Sequence, residues 1–485
     1  MKNLYFILIV KRAICTVFLL LFLSSIFISG QADNIIKPEF RCLMKAQLPN
    51  PIGQLRIVQM NQGKDKKPGF AVMYGEDGNI DPWHEAFFYP NGTLKISVTD
   101  ADGKVLWTKN LGRGVVTGEN FCPMCVFDLD SDGIDEIYYV GNPDDFHPLR
   151  ISSYRLTRLN GITGEQTGDW KWPYHNSNES MSHTFRNSIR CGYVKGKPVL
   201  ITIQGLYQTM SFQAYDPGMK LRWERVIPAT DPGARGSHMC AISDMNQDGI
   251  QEIMYGERCL ELDKGTDVFN TDNNKFSGHS DVAQPVWDAT ARKWYLFCCR
   301  ENQNNIPPRV CLLDYTGKVV WGHVDDGHID QGIVARLGDG YRHLAFALKI
   351  NSKSFEKSGI VRGGQIEYHY DALTGAEVHL PYSLNGMQPV DVNGDGYHEL
   401  VYQNGNRSVI INRKGEELAS FEGKAILVGK LVDLPGEQIV ILDQGELKLL
   451  TNINANDCAF ALERYKNPVY KINLKNTGNK SISGI

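Results

Sequence analysis

Four histidines recur in one setting. SHTFRNSIRCGYV presents His183, SHMCAISDM presents His238, GHSDVAQPVW presents His279 and GHIDQGIVARLG presents His328; each follows a small residue and directly precedes an apolar run. They lie 55, 41 and 49 residues apart along the chain. Imidazole is the commonest transition-metal ligand and the side chain best placed to move protons near neutral pH. One such histidine would ordinarily cap its strand or bond a turn carbonyl, whereas four in register predict a shared site. Spacing alone leaves open which of them bind metal and which do chemistry. Asp281 and Asp330 follow their histidines by two residues, Arg235 precedes His238 by three, Tyr207 lies in QGLYQTM, and His147 and His175 stand in the preceding connections. Cys298 and Cys299 put one thiol on each face of a strand, so Cys299 could add a soft ligand to an imidazole site, with a buried inert thiol as the alternative.

A second pattern is acidic. VFDLDSDGIDEIYYVG carries Asp128, Asp130 and Asp132; SDMNQDGIQEIMYG carries Asp244, Asn246 and Asp248; PVDVNGDGYHELVYQNG carries Asp391, Asn393 and Asp395. Oxygen ligands at positions 1, 3 and 5 ahead of a glycine are the first half of a calcium loop. No helical pattern flanks them, so an EF-hand is excluded and strand, turn, strand is expected. Calcium in these turns would neutralise clustered carboxylates and tie down a hairpin, away from the histidines; a bare Asx-type turn is the alternative.

The elements that must position both sets follow from a third repeat. Polar turns at Gly103, Gly164, Gly218, Gly265, Gly317, Gly375, Gly415 and Gly445 each join one apolar strand to another, 30 to 61 residues apart. Each unit is therefore about four short strands, with almost no stretch of helical period. This predicts an all-β chain, a single β-propeller of about eight four-stranded blades, or seven if the first and last units share a blade. Innermost strands line the axis of a propeller, so histidines at equivalent starts converge on one mouth. Residues 33–50 and 455–485 fall outside the repeat and are expected to supply closure or a polar tail.

Lys11 and Arg12 precede an apolar run that ends in small residues, so residues 1–32 read as a cleaved secretory signal and 33–485 as the propeller with short extensions. The expected location is secreted or periplasmic, as a monomer with no stable membrane insertion. Losing Lys2, Lys11 and Arg12 takes 51 basic residues to 48 against 55 acidic, which argues against a nucleic-acid partner. Ten cysteines remain after Cys15 leaves, and in an oxidising compartment they are expected to be local staples. Cys122 and Cys125 form a CxxC in strand context, read as a structural pair or as isolated buried thiols rather than a redox motif.

The acidic turns resemble the FG-GAP repeats of integrin-type propellers. Together with RNSIRCGYVKGKPVLITIQGLY, RGSHMCAISDMNQDGIQEIMYG, GHSD and DDGHID, the chain from about residue 120 to 400 resembles the propeller-type polysaccharide lyases, the ulvan lyases and rhamnogalacturonan lyases. The resemblance implies β-elimination at a uronic acid of an acidic, rhamnose-rich polysaccharide. It implies Tyr207 and His183 as the acid and base pair, with His147 or His175 as rivals to His183. Arg235 becomes the carboxylate clamp, with Arg222 and Arg225 as rivals. His238, His279 and His328 would hold a divalent metal, zinc being one candidate, with Cys299 as a further ligand. Rhamnogalacturonan lyases of this type carry an extra β-domain that the first 50 residues here are too short to contain, which ranks ulvan first and rhamnogalacturonan second. A non-catalytic propeller that binds glycan or protein is the reading from a different class; it predicts scattered histidines and no basic clamp.

Overall fold

Seven of the eight glycine turns join the third strand of a sheet to the edge that follows it, and the sheets they close are the blades of a ring. The computed structural model describes residues 37–175, 179–301, 306–356 and 359–477, so the signal reading of 1–32 lies outside the described residues. The described residues from Pro38 onward form the propeller unit. There are seven four-stranded antiparallel sheets and one three-stranded sheet, the sixth blade, which carries a separate hairpin, Ser352–Glu356 with Gly359–Gly363. Eight blades are therefore observed, as expected, and not the alternative of seven.

Ring closure comes from the N-terminal side. Strand Phe40–Gln47 pairs antiparallel with Glu446–Asn452, so it is the outermost strand of blade 8 and belongs to the repeat. Because that blade borrows its last strand, Gly445 joins its second and third strands instead of its third and fourth. Pairing the two chain ends in one blade leaves no open seam between first and last blades.

Burial follows position in the blade. The innermost strands Met124–Phe127 and Cys240–Ser243 are buried throughout, whereas the outermost strand Val105–Asn110 alternates between half-buried and exposed. The apolar clusters lie between neighbouring blades: Val58, Met73 and Met124 join blades 1 and 2, and Met254, Phe297 and Ala345 join blades 4 to 6. Tryptophans on outermost strands clasp the next blade. Trp107 donates its indole N–H to the carbonyl of Gly161 at 3.0 Å, Trp223 to Leu262 at 3.0 Å and Trp321 to Ala372 at 3.0 Å. The turn glycine beneath each ring is required twice over: Gly265 has φ +70°, and a Cβ there would lie 2.6 Å from the Trp223 ring. Gly265→Ala is expected to cost more than about 1 kcal/mol, the least that an alanine at positive φ costs, and thermal unfolding would measure it.

The C-terminal segment lies outside the strand repeat, as expected, and adds helices to the all-β chain. Helices Ala459–Lys466 and Pro468–Asn473 lead into the ring. The Asn473 side chain bonds both the N–H of Ile242 (3.0 Å) and its carbonyl (2.9 Å), Lys475 pairs with Asp135 at 2.7 Å, and Thr477 bonds Met124. The segment thus fills part of the axis and ties innermost strands of separate blades together. Among the described residues all ten cysteines are free, and eight are buried, so the expected staples are not formed. Cys122 and Cys125 are two of these buried thiols, and burial pushes Cys122 up to about 12. No described helix is long and apolar enough to cross a membrane.

Candidate active site and metal centre

Antiparallel order decides which loops meet. Innermost strands start on the histidine side, so the loops between second and third strands, and the connections from blade to blade, lie on that same side. The acidic turns lie on the other. His183, His238, His279 and His328 stand at the starts of blades 3 to 6, and Tyr207 and Glu301 arrive from second-to-third loops of blades 3 and 5.

The side chains form one cluster. Tyr207 Oη is 3.0 Å from His238 Nε2. The Tyr207 ring lies 4.2 Å from that of His279 and 5.5 Å from that of His183, centroid to centroid. Asp281 is the hub: one oxygen is 3.2 Å from His279 Nε2 and 3.6 Å from His238 Nε2, the other 3.5 Å from His328 Nε2. Glu301 reaches His279 at 3.4 Å and His328 at 3.1 Å. Both aspartates of the His-x-Asp phrases sit where strand register shifts, between Ser280 and Val282 and between Ile329 and Gln331. Such bulges re-aim a side chain at the rim of a sheet.

One residue of the cluster carries backbone strain. Tyr207 has φ +72°, a left-handed conformation that a tyrosine rarely adopts, and its N–H is held by the carbonyl of Arg235 at 3.0 Å. Such strain persists only where the surroundings over-determine the residue.

Electrostatics sort the histidines into two kinds. Burial, then the nearby Arg186 charge, pushes His238 down to about 3, and burial lowers His183, so both stay neutral at physiological pH. Burial also opposes a charge on His279 and His328, yet Glu301 and Asp281 outweigh it and raise them to about 10 and about 9. Burial drives the Tyr207 hydroxyl well above its usual range, so it remains protonated. Carboxylates that hold protons on two imidazoles attract a cation equally well.

Ligand atoms of His238, His279, Asp281 and Glu301 lie within 4.8 Å of one another, and Asp281, His328 and Asp330 form a second such group. His328 Nε2 is buried without a hydrogen bond despite the carboxylates around it. The donors therefore fit a divalent cation. Cys299 does not join them: it is fully buried against Gly332 between blades 5 and 6, and Glu301 takes the place foreseen for it.

The cations differ from those expected. Arg235 is buried and donates to the carbonyls of Pro228 (2.9 Å) and Ala229 (3.0 Å), so its guanidinium shapes its own loop. Arg222 and Arg225 pair with Asp263 and Asp267 on the outermost strand of blade 3, and exposed His147 pairs with Asp144. Arg186 stands closer to the cluster, held in a bidentate pair with Asp81 at 2.9 Å per contact. The blade 6 hairpin brings Lys353 (2.6 Å) and Arg362 onto Asp330. A cavity of about 500 Å³ opens beside Asp281 and Asp330, walled on the axis by Tyr470, Asn473 and Asn476. Nothing in the local sequence marks Glu301, Lys353 or Arg362; only blade topology brings them in.

The acidic turns are well formed and distant from this cluster. Asp128 accepts from the N–H groups of Asp132 and Gly133, and Asp244 from those of Asp248 and Gly249. Asp128, Asp130 and Asp132 form one candidate cation group, and Asp244, Asp248 and Glu252 another. Glu252 Oε1 is buried without a partner, and Asn246 bonds Asp248 across the turn, so these residues fit calcium. The third turn departs from expectation. Arg464 bonds Asp391 at 3.0 Å from the C-terminal helix, and Asn393 is spent on Glu399 at 2.9 Å, leaving Asp395 outside any such group among the described residues. A guanidinium supplies the positive charge there.

A pH effect follows. Burial raises Glu252 to about 8 and Glu136 to about 7. The folded state then holds protons that the unfolded chain has released above about 4.5, so the metal-free protein should lose stability as pH rises from about 4.5 to 8. Calcium needs the ionised carboxylate, so its stabilising effect should grow across the same window, measurable as the shift in melting temperature with and without chelator.

Residues 166–367 match the family model for rhamnogalacturonan lyase family 11, C-terminal domain, and that range holds the whole histidine and carboxylate cluster. Over that range this chain is similar to the family 11 lyases. It is 28% identical over 286 residues to the rhamnogalacturonan exolyase YesX of Bacillus subtilis (strain 168), covering 52% of this chain and 45% of that protein. It is 24% identical to the rhamnogalacturonan endolyase YesW of the same organism, with the same coverage. The chain thus spans about half the length of the curated relatives it matches. The crystal structure of YesX superposes with a TM-score of 0.69 at 19% identity over 90% of this chain and 80% of that one, a likeness of fold. The chain therefore shares the propeller fold with that protein, and the matched segment runs from the last strand of blade 2 through blades 3 to 5 into blade 6, ending where the third strand of that blade begins.

Proposed function

We propose that this chain is a polysaccharide lyase that cleaves a rhamnogalacturonan-type polymer beside a uronic acid by β-elimination. The observation that carries the reading is the coincidence of the matched segment with the cluster of Tyr207, four histidines, Asp281 and Glu301. The short segment before the propeller had ranked ulvan first; the named relatives are rhamnogalacturonan lyases, and rhamnogalacturonan takes its place. The function of a non-catalytic propeller would need neither converging histidines nor basic groups at the mouth, and both are present.

In the proposed reaction neutral His183 takes the C5 proton of the uronate. The electron pair of that bond forms the C4–C5 double bond, the C4–oxygen bond breaks, and protonated Tyr207 gives its proton to the leaving oxygen. His238, at 3.0 Å from Tyr207 Oη, orients that hydroxyl. His238, His279, Asp281 and Glu301 would hold a divalent metal, with His328 beside them, and such an ion would supply positive charge to offset the negative charge that builds at C5 and the carboxylate. Arg186, Lys353 and Arg362 replace Arg235 as candidates to bind acid groups of the polymer. Asp128, Asp130, Asp132, Asp244, Asn246 and Asp248 would hold calcium as struts of their hairpins. The protein works outside the cytoplasm, as a monomer, on a pectic polymer.

The test is ultraviolet absorbance of the unsaturated uronyl product, with purified protein on rhamnogalacturonan and on ulvan side by side and divalent metal supplied. A rise on rhamnogalacturonan alone is expected. A rise on ulvan alone would overturn the substrate, and none on either would overturn the lyase reading.

A further inference from the structure

Below the cluster lies a buried ion pair that the proposed chemistry does not use. Glu257 follows Gly256 in the tight turn between the second and third strands of blade 4, where φ is +70° and a Cβ on Gly256 would meet the Gly236 carbonyl at 2.3 Å. The turn therefore pushes the Glu257 carboxylate across the blade boundary. One oxygen accepts from Arg300 Nε at 2.7 Å and from the Ser280 hydroxyl at 2.9 Å, and the other accepts from an Arg300 terminal nitrogen at 2.6 Å. All three residues are fully buried.

Their places in blade 5 give the pair its meaning. Ser280 and Arg300 face each other across the first two strands of that blade. Ser280 separates His279 from Asp281, and Glu301 follows Arg300. Three members of the carboxylate and imidazole cluster are thus chain neighbours of the two residues that Glu257 grips. Arg300 is fixed further by the Pro308 carbonyl at 2.9 Å and by the Phe276 ring, 4.1 Å from its guanidinium. A buried ion pair is a poor source of net stability compared with apolar packing, but it specifies geometry closely when every donor is met.

We infer that Glu257 is a positioning residue of the candidate metal centre, clamping the Ser280–Arg300 pair so that His279, Asp281 and Glu301 converge on one cation. The inference rests on the metal-centre reading given under the proposed function. It predicts that loosening the clamp weakens the metal without touching a ligand. Outer partners of metal ligands are commonly worth about 10- to 100-fold in affinity.

The experiment is calorimetric titration of zinc into chelator-stripped protein, with calcium present to fill the acidic turns. Glu257→Gln should bind zinc about 10- to 100-fold more weakly than the parent. Ser280→Ala, which leaves the ion pair in place and guards against a folding failure of the first variant, should bind about fivefold more weakly, the worth of one hydrogen bond. The stripped Ser280→Ala protein should melt within about 4 °C of the parent, the cost of one buried hydrogen bond, separating positioning from a general loss of stability. Parent-like zinc affinity in Ser280→Ala, or a loss matched by an equal drop in the stripped melting temperature, would overturn the inference. A parent protein that takes up no zinc, with His279→Ala giving the same flat trace, would instead remove the metal centre itself and this inference with it.

Discussion

In an Asp281→Asn protein, metal affinity at the histidine cluster is expected to fall by more than about a hundredfold, beyond the range typical of outer partners. Asp281 is shared: its two oxygens serve His238, His279 and His328 at once, and the amide that replaces it carries no charge. The metal-free variant should also differ in stability against pH. In the parent, His279 and His328 hold protons up to about 10 and about 9, above the unfolded value of about 6.5. That contribution is fully present below about 6.5 and disappears as pH rises through the folded values. With the Asp281 charge gone and Glu301 and Asp330 left, the loss should come at lower pH. Titration calorimetry for the metal, and melting temperature against pH for the stripped protein, would show both effects; unchanged affinity would mean that Asp281 is not a ligand.

Tyr207→Phe is expected to lower kcat on rhamnogalacturonan by about 10²- to 10⁴-fold, the usual worth of a general acid, with KM little changed. The variant loses only the hydroxyl, whose partner among the described residues is His238 at 3.0 Å. Phenylalanine keeps the ring contacts with His183 and His279 and the N–H bond to the Arg235 carbonyl that hold the strained backbone. Rates are followed by absorbance of the unsaturated product. A loss confined to KM would make Tyr207 a binding residue and pass the acid role to another group. His183→Ala should match the size of the kcat effect, and in the parent the rate should be insensitive to pH well above the lowered pKa of His183.

The histidines were legible because a propeller repeats one local plan: a residue at the start of each innermost strand returns to the same ring position in every blade. Tyr207 was legible for a weaker reason, its neighbourhood in a phrase beside a blade 3 strand. Arg235 misled because sequence proximity to His238 says nothing of direction; its side chain turns back onto carbonyls of its own loop, and its contribution to the site is the backbone oxygen that holds Tyr207. Cys299 misled in the same way. Alternation put one thiol on each face of the strand, but both faces are packed between blades. The third acidic turn kept the motif and lost the charge cluster, because Arg464 comes to it from 73 residues away in the chain.

The sequence by itself determined the strand period, the eight glycine turns, the tyrosine and the four histidines, all of them features whose cause is local or repeated. Only the tertiary structure decided that Glu301, Lys353 and Arg362 join the site, that Asp281 is its hub, that the N-terminal strand closes blade 8 and that the C-terminal segment fills the axis. The physical reason is that each of these depends on a contact between blades or between chain ends, and a contact of that kind leaves no periodic trace in the residues that make it.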